Sequence, residues 1–164
     1  YTGRGKGKTT AALGLALRAS GHGRRVGIIQ FMKGWPFYGE IEGLARLGIR
    51  LERTGRPDYV RRGGDIPLDR QEAARGLALA REWLASGTYD LVVLDEINVA
   101  ADYGLLEVEA VLAALAGRSL GTEVVLTGRY APPAFLEVAD YVTEMREEKH
   151  PYRSGLRARE GVEY

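Results

Sequence analysis

Thr2-Gly3-Arg4-Gly5-Lys6-Gly7-Lys8-Thr9-Thr10 combines the residue types that a polyphosphate cradle needs. Gly3, Gly5 and Gly7 carry no Cβ, so the backbone can turn tightly and aim successive N–H groups at one anion. Lys8 brings a mobile charge for the outer phosphates, and the Thr9 hydroxyl stands where such loops bind a magnesium ion. A helical pattern follows from Thr10 through Leu13 and Leu17, and its N-terminus adds a positive dipole end directed at the same anion. Thr2 occupies the place of the usual first glycine of G-x-x-x-x-G-K-[ST]. These residues together predict a nucleotide-binding protein.

A second acidic element completes that chemistry. Leu91-Val92-Val93-Leu94 is an apolar run ending in Asp95 and Glu96. A carboxylate at such a strand end holds the magnesium of a phosphate-loop site, directly or through water. Neighbouring strand residues point to opposite sides, so Asp95 and Glu96 are expected to play different parts, one at the metal. Lys33, after Val26–Phe31, and Arg129, after Val124–Leu126, lie at the same rim of the sheet, where open α/β sheets bind ligands. They offset phosphate charge, contact an acidic second substrate, or stand as ordinary solvated charges. Trp35, Phe37 and Tyr38 form either an apolar wall for a flat ligand or packing beneath a lid. His22 sits in a glycine-flanked turn and reads as a surface residue; His150 lies in a charged tail, and no third ligand makes either a metal centre.

The elements that position these groups alternate. Val26–Phe31, Leu91–Leu94 and Val124–Leu126 read as strands buried on both faces, with Tyr141–Met145 as a weaker fourth and Ile49–Leu51 as a short extra. Between them, Ile41, Leu44 and Ala45 share a helix face, and Leu77, Ala80 and Leu84 another. Val108, Val111, Leu112 and Leu115 repeat the spacing. Asp69 and Glu72 resemble a capping box, and Pro133 opens a last helix carrying Leu136 and Ala139. The first helix is expected to end near Gly21, with Gly23 in the turn. Strands alternating with helices predict a three-layer α/β domain with a mainly parallel sheet. A phosphate loop normally follows a strand, so the first strand is expected upstream of residue 1. Residues 54–68, rich in Gly, Pro and Arg, read as a lid or binding loop, and 146–164 as a C-terminal tail.

Composition narrows the class. The 164 residues fit one domain, 1–164. The 23 basic and 22 acidic residues leave a net charge of +1, which argues against nucleic acid as a partner. The absence of cysteine excludes thiol nucleophiles, disulfides, thiolate zinc sites and iron–sulfur clusters. No run approaches the roughly 18 apolar residues of a membrane span, so no membrane partner is expected and a cytoplasmic enzyme is the default reading.

The motifs taken together resemble the corrinoid adenosyltransferases of the RecA-like phosphate-loop type. The resemblance rests on Thr2 to Ala12, Arg18 with Gly21-His22-Gly23, Val26 to Gly34, Val92 to Glu96 and Thr127-Gly128-Arg129. It ends with Lys149-His150, Gly155, Ala158 and Gly161-Val162-Glu163-Tyr164. It implies a RecA-like fold and transfer of the 5′-deoxyadenosyl group of ATP to the cobalt of a reduced corrinoid, with release of triphosphate. It further implies Mg²⁺ or Mn²⁺, an electron-donating reductase, and a homodimer. Gly3, Arg4, Gly5, Lys6, Gly7, Lys8, Thr9, Thr10 and Lys33 would hold the nucleotide, and Arg18 would lie near its nucleoside end. Thr9, Asp95 and Glu96 would serve the metal, and Lys8, Glu96 and Arg129 would act on the reaction. Relatives carry a G-F-[TS]-W lid segment against the lower face of the corrin; here the region reads Gly55-Arg56-Pro57-Asp58-Tyr59, where arginines could instead meet corrin side chains. Two other classes share the loop: a phosphoryl-transferring ATPase or nucleoside kinase, yielding ADP, and a RecA-like ATP-dependent binding module.

Overall fold

Every residue of strand β1 (Val26–Phe31) is buried, and so is every residue of β3 (Leu91–Asp95). That is what continuous apolar runs impose when both faces of a sheet are covered. With β2 (Arg50–Thr54) and β4 (Glu123–Leu126) they form an all-parallel sheet in the order β2-β1-β3-β4. The computed structural model describes residues 1–63 and 67–164.

Alternation along the strands sorts the core into two layers. Val26, Ile28, Leu91 and Val93 face helix α1 (Lys8–Gly21) and helix α2 (Gly39–Arg46), meeting Ala12, Ala16 and Leu44. Ile29, Phe31, Val92 and Leu94 face the opposite side. There they pack with helix α3 (Pro67–Ala85), the short α4 (Ile97–Asp102), α5 (Val108–Ala116) and Phe135 of α6 (Pro133–Val138). This is the three-layer, parallel α/β architecture of RecA-like phosphate-loop proteins. Among the described residues no helix is long and apolar enough to cross a membrane.

The register aligns the chemistry-bearing strand ends. Gln30 pairs with Asp95 and Phe31 with Thr54, while Leu94 pairs with Leu126 just before Thr127. Beyond β4, the Tyr1 nitrogen donates to the Leu126 carbonyl at 2.8 Å, and Thr2 forms a parallel bridge with Glu144. β4 therefore lies between the entry to the glycine-rich loop and the acid-bearing β3.

Four expectations need correction. Tyr141–Met145 is not a strand but a single bridge at Glu144, where Thr2 pairs with it in parallel. Asp69 does not open a helix: α3 begins at Pro67, and the Asp69 carboxylate, 3 % exposed, takes Arg56 instead. In α6 the buried residue is Phe135, whereas Leu136 is exposed and Ala139 already extended. The loop expected over 54–68 is shorter than its range, because Thr54 ends β2 and Pro67 starts α3; residues 64–66 of that range lie outside the described residues.

Candidate functional site

α1 begins abruptly because Gly7 adopts φ +113°, a left-handed conformation that only glycine takes without strain. Its first turn leaves N–H groups pointing into the loop. Gly3, itself at φ +94°, and Gly5 have a further use. A Cβ on Gly3 would lie 2.5 Å from the Met145 carbonyl oxygen, and one on Gly5 would lie 2.7 Å from that of Arg146. They let the loop lie directly on the 144–146 backbone, with Gly5 N–H donating to Met145 at 2.6 Å. The cradle is thus backed by a wall of backbone.

Lys8 arches over the loop, its Nζ donating to the Gly5 carbonyl at 2.6 Å. Burial lowers its pKa, opposed by the charge of Glu96 and aided by that of Arg129, with Asp95 also opposing. The exposed Arg4 and Lys6 flank the loop; Arg4 lies over the Tyr130 ring, and Lys6 donates to the Val162 carbonyl at 2.7 Å.

Asp95 is the centre of the polar cluster. Its side chain is 1 % exposed and receives four donors. Thr9 at 2.9 Å and Thr127 at 2.6 Å reach Oδ1; Lys33 at 2.8 Å and Gln30 at 3.1 Å reach Oδ2. Four donors match the acceptor capacity of an ionised carboxylate, which is why an acid can sit so deeply here. Gln30 also donates to Glu40 at 3.1 Å, and Lys33 lies 3.9 Å from Glu40. Glu96 turns away at φ +63°, its amide held by the Thr127 hydroxyl at 3.0 Å. Burial, then the charge of Asp95, raises its carboxyl above the ordinary range, against the pull of Lys33, Lys8 and Arg129. Met32 and Tyr130, after β1 and β4, share the left-handed conformation at φ +60° and +57°. Each such non-glycine residue costs about 1–2 kcal/mol, and all three border the same rim.

The structure therefore brings Lys8, Thr9, Lys33, Asp95 and Glu96 together, with the exposed Arg129 acting on Lys8 and Glu96 through space. It does not bring Arg18. That residue is in the last turn of α1, ten positions from Lys8 and so about 15 Å along the axis. With His22, Arg24, Arg25 and Asp90 it lines an open hollow of about 640 Å³ at the amino ends of β1 and β3, the opposite rim from the phosphate loop. His150 accepts the Tyr152 amide at 3.2 Å and so caps a 3₁₀ turn at Pro151–Ser154. Arg56 is engaged by Asp69 through two bonds, 2.6 and 3.2 Å, and Arg53 donates to the Trp35 carbonyl, so these two arginines brace the 54–60 segment. Trp35 meets Phe37, Tyr38 and Tyr164 edge-on at 5.0–5.4 Å.

Gln30, Glu40 and Thr127 belong to the cluster without having been assigned a role from sequence. Gln30 and Thr127 had a readable signal: each is a polar residue at the end of an otherwise apolar run.

The donor set suits a hard divalent cation. Among the described residues no three His, Cys, Asp or Glu side chains converge to cage a metal. Thr9 and the carboxylate of Asp95 instead offer the sparse oxygen set that Mg²⁺ accepts when phosphate and water complete its shell. A cation, the Lys33 ammonium, already stands against both.

Residues 1–164 match the family described as ATP:corrinoid adenosyltransferase BtuR/CobO/CobP. The chain belongs to that family. It is 40% identical over 168 residues to a corrinoid adenosyltransferase of Escherichia coli K12, covering 100% of this chain and 83% of that one. It is 38% identical over 171 residues to one of Pseudomonas aeruginosa, covering 100% and 81%. A relative from Salmonella typhimurium, corrinoid adenosyltransferase CobA, is 38% identical over 170 residues, covering 100% and 83%.

Proposed function

We propose that this chain transfers the 5′-deoxyadenosyl group of ATP to the cobalt of a reduced corrinoid and releases triphosphate, a step of adenosylcobalamin formation. The observation that carries the reading is the convergence of Lys8 and Thr9 with the buried Asp95, in a chain matched over its whole length by the family.

The backbone N–H groups from Lys6 to Thr10 hold the triphosphate at the start of α1, while that of Gly5 stays on the Met145 carbonyl. Lys8 exchanges a neutral carbonyl for an anionic phosphate oxygen, which adds ion-pair attraction to a bond whose donor is already charged. Arg4, Lys6 and Arg129 add charge from the exposed side, and Gly3 keeps the loop against its wall. Mg²⁺ or Mn²⁺ would be held by Thr9 and Asp95, with Glu96 beside them, and would neutralise charge on the departing triphosphate. Cobalt(I) is the nucleophile. Its electron pair forms the cobalt–C5′ bond, the C5′–O5′ bond breaks, O5′ leaves with that pair on triphosphate, and cobalt becomes formally cobalt(III). The protein needs no nucleophile of its own; it positions the groups, stabilises the leaving charge and excludes water. The reading includes a reductase that supplies cobalt(I), a homodimer and a cytoplasmic setting.

The test mixes the protein with Mg²⁺·ATP and chemically reduced cobalamin. A light-sensitive alkylcobalt spectrum with stoichiometric triphosphate is expected. ADP as the sole phosphorus product would assign the chain to phosphoryl transfer instead.

A further inference from the structure

We infer that Lys33 is a placeholder cation, whose ammonium fills the metal position in the nucleotide-free protein and moves onto Glu40 when metal and ATP arrive. The inference rests on the proposed function in taking Thr9 and Asp95 as the protein's metal ligands.

Of the four donors on Asp95, only Lys33 is charged, and it makes a 2.8 Å ion pair with this 1 % exposed side chain. Its Nζ also lies 3.5 Å from the Thr9 hydroxyl, so one ammonium faces both proposed ligands. A divalent ion bound to the same groups sits within a few ångströms of that charge, where like charges repel strongly at low dielectric. One of the two cations leaves.

A second berth is already built. Glu40 is 3.9 Å from Nζ and the Tyr38 ring centroid 5.4 Å, a distance for cation–π attraction. Both donors of the Gln30 amide are used, one on each carboxylate at 3.1 Å, which fixes Asp95 and Glu40 as neighbours. The Gln30 side-chain oxygen is buried and has no hydrogen-bond partner among the described residues. The backbone at Lys33 is held from both sides. Met32 is locked at φ +60°, and Gly34 crosses Gly55 and Arg56 so closely that a Cβ on Gly55 would lie 2.7 Å from the Lys33 nitrogen. The side chain is what moves.

The test combines diffraction with a binding titration. Crystals of the wild-type protein with Mn²⁺·ATP should give an anomalous peak between Thr9 and Asp95, with Lys33 Nζ nearer Glu40 than Asp95. Manganese at that place with the 2.8 Å Lys33–Asp95 contact intact overturns the inference and spares the proposed function. ATP and manganese bound away from the loop overturn both. In solution, Lys33→Met should bind Mn²⁺·ATP more tightly by at least about threefold, read by electron paramagnetic resonance, because a competing charge is gone. Its melting temperature should fall without ligand and recover with Mn²⁺·ATP. Weaker binding by Lys33→Met would mean that Lys33 grips phosphate, and the placeholder role fails. Lys33→Arg, which keeps the charge, should retain wild-type affinity; a gain in affinity there also overturns the inference.

Discussion

The Thr127 hydroxyl donates to Asp95 Oδ1 at 2.6 Å and accepts the Glu96 amide at 3.0 Å, so one buried side chain fixes both acids at the end of β3. The relationship crosses two strands, from the exit of β4 to the exit of β3. Thr127→Val keeps the shape but removes both bonds, leaving a buried amide and one carboxylate oxygen short of a partner. The expected loss is about 1–3 kcal/mol in urea unfolding. Thr127→Ser should recover most of it. A Val variant as stable as wild type would show that the hydroxyl is dispensable.

Glu96 predicts a pH dependence of stability. Burial raises its carboxyl in the folded protein, while the unfolded chain titrates near the ordinary value of about 4.3. The folded state therefore binds the proton more tightly. The favourable contribution is complete below that ordinary value and is lost as pH rises through the raised folded value. Glu96→Gln, neutral throughout, should stabilise the nucleotide-free protein at neutral pH relative to wild type. The advantage should shrink on acidification and level off below about pH 4. Unfolding curves of both proteins across that range decide it; a pH-independent difference contradicts the assignment.

Gly34 tests the crossing that holds Lys33. A Cβ there would overlap the Arg56 carbonyl group, and neither backbone can yield easily because Gly34 N–H also donates to that oxygen at 3.1 Å. Gly34→Ala should cost about 1–3 kcal/mol, the range for forced overpacking, and should change Mn²⁺·ATP affinity in the same direction as Lys33→Met, because both loosen the Lys33–Asp95 pair. Equilibrium unfolding and nucleotide titration measure the two effects separately. Gly43→Ala, at a helical position with nothing within 4 Å, is the control and should be neutral or stabilising.

Much of this architecture was legible because it follows from local periodicity. Continuous apolar runs marked β1, β3 and β4, and the spacing of Leu77, Ala80 and Leu84 marked the buried face of α3. Lys8, Thr9 and Asp95 were readable because phosphate chemistry demands those types in that order. What escaped depends on partners distant in sequence. Asp69 looks like a cap until Arg56, thirteen residues earlier, claims its carboxylate. Tyr141–Met145 alternates like a strand, but a ladder needs a neighbour, and Thr2 supplies a single bridge. Gln30 reads as a stray polar residue until the parallel register sets it opposite Asp95. The same holds for Gly3 and Gly5, whose close approach to residues 144–146 joins the two ends of the chain.

Lys8→Ala separates binding chemistry from folding. In the nucleotide-free protein Lys8 makes one bond, to a carbonyl of its own loop, and its position in α1 suits alanine. Stability should change by no more than about 1 kcal/mol. Adenosyl transfer should fall at least about a hundredfold, because a charge aimed at the leaving triphosphate is lost where solvent cannot replace it. The drop should appear in kcat as well as in the KM for ATP, since the charge on O5′ grows as the C5′–O5′ bond breaks. A variant that keeps wild-type kcat and loses only affinity would show that the Lys8 ammonium binds the substrate without following its charge into the transition state.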